Sequence, residues 1–166
     1  EKQEGLTGGD LEQMAQAIFK SWFIDFEPFQ DGEFEDSELG MIPKGWKLGT
    51  LGDIANITMG QSPKGSTYNE FGKGVIFYQV RTDFGRRYPV VRQYTIEPKR
   101  MAYKGDCLLS VRAPVGDLNI AIDDCCIGRG LAALKSKEGA NSYLFYQLEN
   151  LKNQFKVYDG EGTVFG

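Results

Sequence analysis

Histidine is absent from this 166-residue chain. Its absence removes the usual general base at neutral pH, the usual zinc ligand, and both the Ser–His and Cys–His nucleophile arrangements. Cysteine is scarce. Cys107, Cys125 and Cys126 are odd in number, and adjacent cysteines rarely bridge each other. A reduced, cytoplasmic protein is therefore expected rather than a secreted, disulfide-stapled one. The Cys125-Cys126 pair also lacks the two-residue spacing of a zinc knuckle, so no metal is expected. No apolar run approaches the roughly 18 residues of a membrane span, and no signal-peptide pattern opens the chain. Gly60-Gln61-Ser62-Pro63-Lys64-Gly65-Ser66 superficially resembles a phosphate loop but has no lysine directly before its hydroxyl residue. Asp83-Phe84-Gly85 spells a kinase tripeptide without the surrounding kinase loops, and is read as a turn between strands. Asp123 and Asp124, being adjacent, would point to opposite faces of a strand. A turn with solvated charges is expected there rather than an ion site. These absences argue against catalysis, and no catalytic residue or cofactor is expected.

Charge of one sign is also locally missing, and the whole-chain average hides it. The net charge of −4 argues against a nucleic-acid binder. Yet residues 1–40 carry 11 acidic and 2 basic side chains, whereas residues 41–166 carry 12 acidic and 17 basic ones. Within 71–112, nine basic residues face only Asp83, Glu97 and Asp106. Phe77, Tyr78, Phe84, Tyr88 and Tyr94 interleave with those cations. Such a stretch suits a surface that tracks phosphates, and equally a β-domain with charged outer faces.

Residues 1–9 read as a linker or disordered lead-in. Asp10, with Gln13 three positions on, is expected to cap a helix over 10–26. Leu11, Met14, Ile18 and Trp22 form one apolar stripe, widened by Ala15 and Phe26. The stripe serves either as packing within this domain or as half of a helix–helix seam. Residues 27–44 read as an acidic, turn-rich linker, and 45–166 as the main domain. There, short apolar runs at 48–58, 75–81, 88–96, 106–112, 118–123 and 131–135 have strand length and composition. A second helix is expected over about 141–156, with Leu144, Phe145, Leu148, Leu151 and Phe155 inward. The expected fold class is α+β, with an irregular, twisted, mostly antiparallel β-body between two helices.

Two stretches stand out: Ser110-Val111-Arg112-Ala113-Pro114-Val115-Gly116 and Ile127-Gly128-Arg129-Gly130-Leu131-Ala132-Ala133-Leu134. Each sets one arginine among small and apolar residues. Gly128 and Gly130 permit either positive φ or close approach of another segment. An arginine held at such a point meets a phosphate or carboxylate well. A strand–turn–strand with each arginine in a structural salt bridge is the other reading.

These two stretches resemble the target recognition domain of a type I restriction–modification specificity subunit. Four further segments carry the resemblance, in the same order: Leu11 to Phe26; Leu39-Gly40-Met41-Ile42-Pro43-Lys44-Gly45-Trp46 with Leu51-Gly52-Asp53-Ile54; Met59-Gly60-Gln61-Ser62-Pro63 running on to Tyr68-Asn69; and Gly162-Thr163-Val164-Phe165-Gly166. The chain departs from the family in having one such domain where a full subunit has two. It also has Thr7-Gly8-Gly9 where a long helix would continue upstream. The resemblance implies sequence-specific binding of double-stranded DNA without catalysis. The 10–26 helix would then be a piece of the conserved spacer. The chain carries neither a glycine-rich methyl-donor loop nor an Asn-Pro-Pro-aromatic tetrapeptide, so methylation chemistry would lie in another subunit.

On that reading Gln61, Asn69, Gln79, Arg81, Arg86 and Arg87 are candidates for base edges, because Arg pairs with guanine and Gln or Asn with adenine. Lys64, Ser66, Lys73, Arg112 and Arg129 are candidates for phosphate contacts, and Ser62 joins the DNA-binding set with no assigned role. Gln61, in a loop stiffened by Pro63, and Arg81, ending a strand on the face of Gln79, are the leading pair. Leu11, Met14, Ile18 and Trp22 would bind a partner. The implied partners are duplex DNA, a modification subunit, a restriction subunit, and a second copy of the chain through the spacer helix. The family would run on past Gly166 into a second spacer helix, so a truncated half or a dimerising single domain is expected. A module that docks on a methyltransferase subunit through its N-terminal helix is the alternative.

Overall fold

A computed structural model describes the chain over residues 8–160, which divides into two units after Thr50. In the first unit, helix α1 (Gly8–Phe23) starts two residues ahead of the expected Asp10 cap and stops three short of Phe26. The stop has a local cause. Phe26 sits in the left-handed region, at φ 53 and ψ 31, which a side chain this large adopts only under strain. Aromatic packing holds it there. Its ring meets Trp46 edge-on at 5.2 Å and Phe34 at 6.2 Å. Phe29 and Phe23 pack on the same Trp46 at 5.4 and 6.2 Å. Strands β1 (Phe34–Glu35) and β2 (Ile42–Pro43) pair antiparallel just beyond. The 27–44 stretch therefore carries a hairpin and faces an aromatic cluster. Along α1, Met14, Ile18 and Trp22 are 52%, 59% and 48% exposed. The side chains of Leu11 and Ala15 lie outside the described residues.

The second unit begins with a single helical turn, α2 (Leu51–Ile54), inside the run expected as a strand over 48–58. Its strands are β3 (Ala55–Met59), β4 (Tyr68–Asn69), β5 (Val75–Tyr78), β6 (Tyr94–Thr95), β7 (Met101–Ala102), β8 (Cys107–Ser110), β9 (Leu118–Ile120), β10 (Cys125–Ile127) and β11 (Leu131–Ser136), followed by helix α3 (Asn141–Gly160). One sheet has the order β3-β11-β8-β9 and the other β4-β6-β5-β10-β7. Every pairing is antiparallel except β5 with β10. The α+β class with a mostly antiparallel body is thus as expected from sequence.

Strand periodicity explains the layering. On β11, Ala132 and Leu134 join Cys107, Leu109, Leu118 and the α3 residues Leu144, Phe145 and Leu148 in one cluster. Leu131 and Ala133 alternate to the other face and join Leu108, Tyr78, Ala102, Cys125 and Ile127. β8 and β11 are buried on both sides, between α3 and the five-stranded sheet, so they read as continuous apolar runs rather than as alternating ones. Asn141 starts α3 and ties it down. Its Oδ1 accepts from Ser136 N–H at 2.8 Å, and its Nδ2 donates to Gly105 O at 2.9 Å. Leu151 is half-buried, and the side chain of Phe155 lies outside the described residues. All three cysteines are buried free thiols, and burial pushes Cys107 and Cys125 up to about 12. No helix among the described residues is long and apolar enough to cross a membrane.

Candidate nucleic-acid interface

The turn from β10 to β11, residues 127–131, passes from one sheet to the other, and two further segments close on it. Gly60 N–H donates to Leu131 O at 2.9 Å, and Gln61 N–H to Ile127 O at 3.0 Å. Gly128 N–H donates to Tyr78 O at 2.8 Å, and Gly130 N–H to Gln79 O at 3.2 Å. Arg129 N–H donates to Ser62 Oγ at 3.1 Å. Val111 N–H reaches Gly130 O at 2.9 Å, which brings the Arg112 segment alongside.

Glycine is required here by space. None of Gly60, Gly128 and Gly130 has positive φ. A Cβ on Gly60 would lie 1.9 Å from Gly128 O, one on Gly128 would lie 2.8 Å from Gln79 Cα, and one on Gly130 would lie 2.6 Å from Val80 Cγ1. Of the two uses of glycine open from sequence, close approach is the one adopted. Arg129 is the single exposed residue in the run 125–134. The backbones of Gln61, Gln79 and Arg129 are thereby fixed relative to one another.

The loop after Gln79 is equally constrained. β5 ends at Tyr78, so Arg81 does not end a strand on the face of Gln79. It opens a 3-10 turn over Arg81–Asp83. Phe84 N–H donates to Arg81 O at 2.8 Å, and Val90 N–H to Asp83 O at 2.8 Å. Asn119, 1% exposed, accepts from Gly85 N–H at 3.0 Å and donates to Gly85 O at 2.9 Å. Ile120 N–H donates to Arg87 O at 2.8 Å. Burial raises the Asp83 carboxyl above its ordinary value, opposed by the Gln79 backbone hydrogen bond and by Arg92.

The predicted side chains meet different fates. Arg81 Nη1 lies 2.9 Å from Asp117 Oδ2, and Lys152 Nζ lies 3.3 Å from Asp117 Oδ1. Arg86 is exposed. The Arg87 guanidinium lies over the ring of the buried Phe145 at 5.5 Å and that of Tyr88 at 6.0 Å, so it packs against α3 rather than standing free. Asn69 accepts from Phe71 and Lys73 N–H at 3.1 and 3.0 Å and donates to Lys73 O at 2.8 Å. Its amide is taken up by its own turn. Lys64 and Ser66 are exposed beside Pro63, whose carbonyl accepts from Tyr68 Oη at 2.9 Å. Lys73 and Arg112 are exposed. The structure thus brings Gln61, Ser62, Gln79 and Arg129 together, with Arg81 two residues beyond Gln79, and keeps Asn69 and Lys73 on a separate turn.

Sequence reasoning passed over Asp117, Asn119 and Lys152, and it named Ser110 only as the start of the Ser110–Gly116 stretch. Ser110, fully buried, donates from Oγ to Pro114 O and accepts from Asp117 N–H, both at 2.9 Å, and so closes the loop that carries Asp117. A lone Asn inside Leu118-Asn119-Ile120 was a readable signal, since a polar side chain in an apolar strand needs a partner. Asp123 and Asp124 are exposed in a turn, where Asp124 Oδ1 accepts from Lys104 N–H at 3.0 Å.

Comparison with known proteins gives consistent matches. The family model of the type I restriction modification DNA specificity domain matches residues 43–165. The protein assigned as the type I restriction enzyme MjaX specificity subunit of Methanocaldococcus jannaschii is 45% identical over 141 residues. That match covers 82% of this chain and 33% of the relative. The crystal structure of the HsdS subunit from Thermoanaerobacter tengcongensis superposes with a TM-score of 0.70 at 38% identity, covering 89% of this chain and 35% of that one. A chain from a structure describing complex assembly and conformational transition of the type I R-M system has a TM-score of 0.67 at 37% identity, covering 88% and 37%. The chain therefore spans about a third of the length of each of these relatives.

Proposed function

Because the chain belongs to the type I restriction modification DNA specificity domain family, we propose that it is a target recognition domain that binds duplex DNA at a particular base sequence and performs no chemistry of its own. The observation that carries this reading is the glycine-tight junction. It fixes Gln61, Gln79 and Arg129 on three converging segments and sets the Arg81–Arg86 loop directly beyond them. Base readout needs a few bidentate side chains on a rigid frame, and phosphate contacts to set register. Gln61, Gln79, Arg81 and Arg86 take the first role, and Ser62, Lys64, Ser66, Lys73, Arg112 and Arg129 the second. Ser62 contributes mainly by fixing the Arg129 backbone.

On this reading α1 meets protein rather than DNA. It belongs to the acidic part of the chain, and Met14, Ile18 and Trp22 are about half exposed. Its partners are a modification subunit, with a restriction subunit joining for cleavage, or the spacer helix of a second copy. The protein would act in the cytoplasm with its thiols reduced. Changing Arg81 and Arg86 together to Ala tests the DNA assignment. Loss of one good bidentate base contact costs about 1–3 kcal/mol of cognate binding. A double variant that binds cognate duplex as tightly as the parent at low and moderate salt would overturn it.

A further inference from the structure

We propose that Asp117 is a positioning residue that aims Arg81 at one base pair, an inference that rests on the base-reading role given to Arg81 above. Arginine is long and flexible, and a free guanidinium loses rotamer freedom when a base edge fixes it. Here that freedom is already restricted. Asp117 Oδ2 holds Arg81 Nη1 at 2.9 Å. The carboxylate is itself held from the other side, where Oδ1 meets Lys152 Nζ of α3 at 3.3 Å. The Asp117 backbone is pinned as well. Its N–H donates to the buried Ser110 Oγ at 2.9 Å, and its carbonyl accepts from Ser110 N–H at 2.9 Å. One nitrogen of Arg81 is thus committed, and the remaining guanidinium donors are left for a ligand.

The salt bridge contributes little to stability. The Arg81 and Asp117 side chains are 44% and 31% exposed, where solvent screens the attraction. Its consequence is directional and electrostatic. Asp117 offsets part of the positive charge around Arg81, so it weakens attraction to any phosphate backbone while it fixes the geometry that reads a base. The two effects have opposite signs for random and for cognate DNA. A residue that merely supports the fold has no such split.

The test uses the full chain, the duplex that the parent selects from a random pool, a panel of its single-base-pair variants, and a random duplex. Asp117→Asn is nearly isosteric and keeps the backbone bonds to Ser110. It is expected to lower discrimination at one base pair by about tenfold, to bind random duplex as tightly as the parent or more so, and to melt at the same temperature. Asp117→Glu keeps the charge but moves the carboxylate. It is expected to lose the same discrimination with random binding unchanged. Arg81→Ala is expected to lose discrimination at that same base pair, and adding Asp117→Asn to it should cause no further loss. If Arg81→Ala loses discrimination while Asp117→Asn and Asp117→Glu keep it, the positioning role is wrong and the base-reading role of Arg81 stands. If Asp117→Asn binds cognate duplex more tightly with discrimination intact, Asp117 competes with DNA and the proposal is overturned. If Arg81→Ala changes nothing, both readings fall.

Discussion

Residues 1–40 carry a net charge of −9 and leave Met14, Ile18 and Trp22 about half exposed. Residues 41–166 carry +5 and bury Phe77, Tyr78, Phe145 and Leu148 almost completely. The first region packs Phe23, Phe26 and Phe29 on Trp46, just beyond its end, and keeps an apolar helix stripe at the surface. The second buries its apolar residues in layers and keeps arginines at the surface. An acidic arm with an apolar stripe suits a protein contact, whereas a basic, rigid β-body suits a polyanion. A whole-chain charge average erases this distinction, and the distribution restores it.

The largest effect is expected in the core of the second region. Phe145→Ala removes a side chain that is 1% exposed and packs between α3 and the β3-β11-β8-β9 sheet. It is expected to cost about 3–5 kcal/mol by chemical denaturation. Replacing Ile18 and Trp22 with polar residues should cost far less and should instead reduce assembly with a modification subunit or a second copy. A collapsed melting temperature with unaltered assembly would place the stripe in the core after all.

Gly60→Ala comes next, at about 3 kcal/mol, because its Cβ would meet the Gly128 and Leu131 carbonyl oxygens, and backbone must move. Gly65→Ala is the control. Nothing lies within 4 Å of its Cβ, and its stability should be unchanged. Equal effects at the two positions would dissolve the junction argument.

The smallest expected effect is a change in pH dependence. Asp106 is 4% exposed, with Oδ2 accepting from Tyr103 N–H at 2.9 Å and Oδ1 buried without a partner. Burial raises its carboxyl above the ordinary range. A raised folded value means that folding favours the protonated form. The stability this contributes is complete below the ordinary carboxylate range and is lost as pH rises through the folded value. Asp106→Asn should therefore raise the melting temperature at pH 7, and the gain should fade as the pH is lowered through the acid range. A gain that grows in acid would contradict this reading.

Much of the fold was legible because its signals are long. The α3 pattern of Leu144, Phe145 and Leu148 repeats at helical spacing, and the apolar runs of β8 and β11 are continuous. β10 escaped because three residues, Cys125 to Ile127, carry no usable period, and its parallel partner β5 is remote in sequence. The helix end was misjudged because the left-handed Phe26 is stabilised by Trp46, which local propensity cannot see. At the candidate site, Gly128-Arg129-Gly130 left positive φ and close approach both open, and the segments that approach were not nameable from sequence. The pairing of Arg81 with Asp117, 36 positions apart, depends on the Ser110-closed loop and on α3, so no local pattern encodes it.

On the proposed function, the β-body reads DNA sequence. Its most direct test is to select bound duplexes from a random pool, with the chain alone and with a modification subunit present. One base sequence is expected to be enriched in both selections. Retention of duplexes without any enriched sequence in either selection would contradict it.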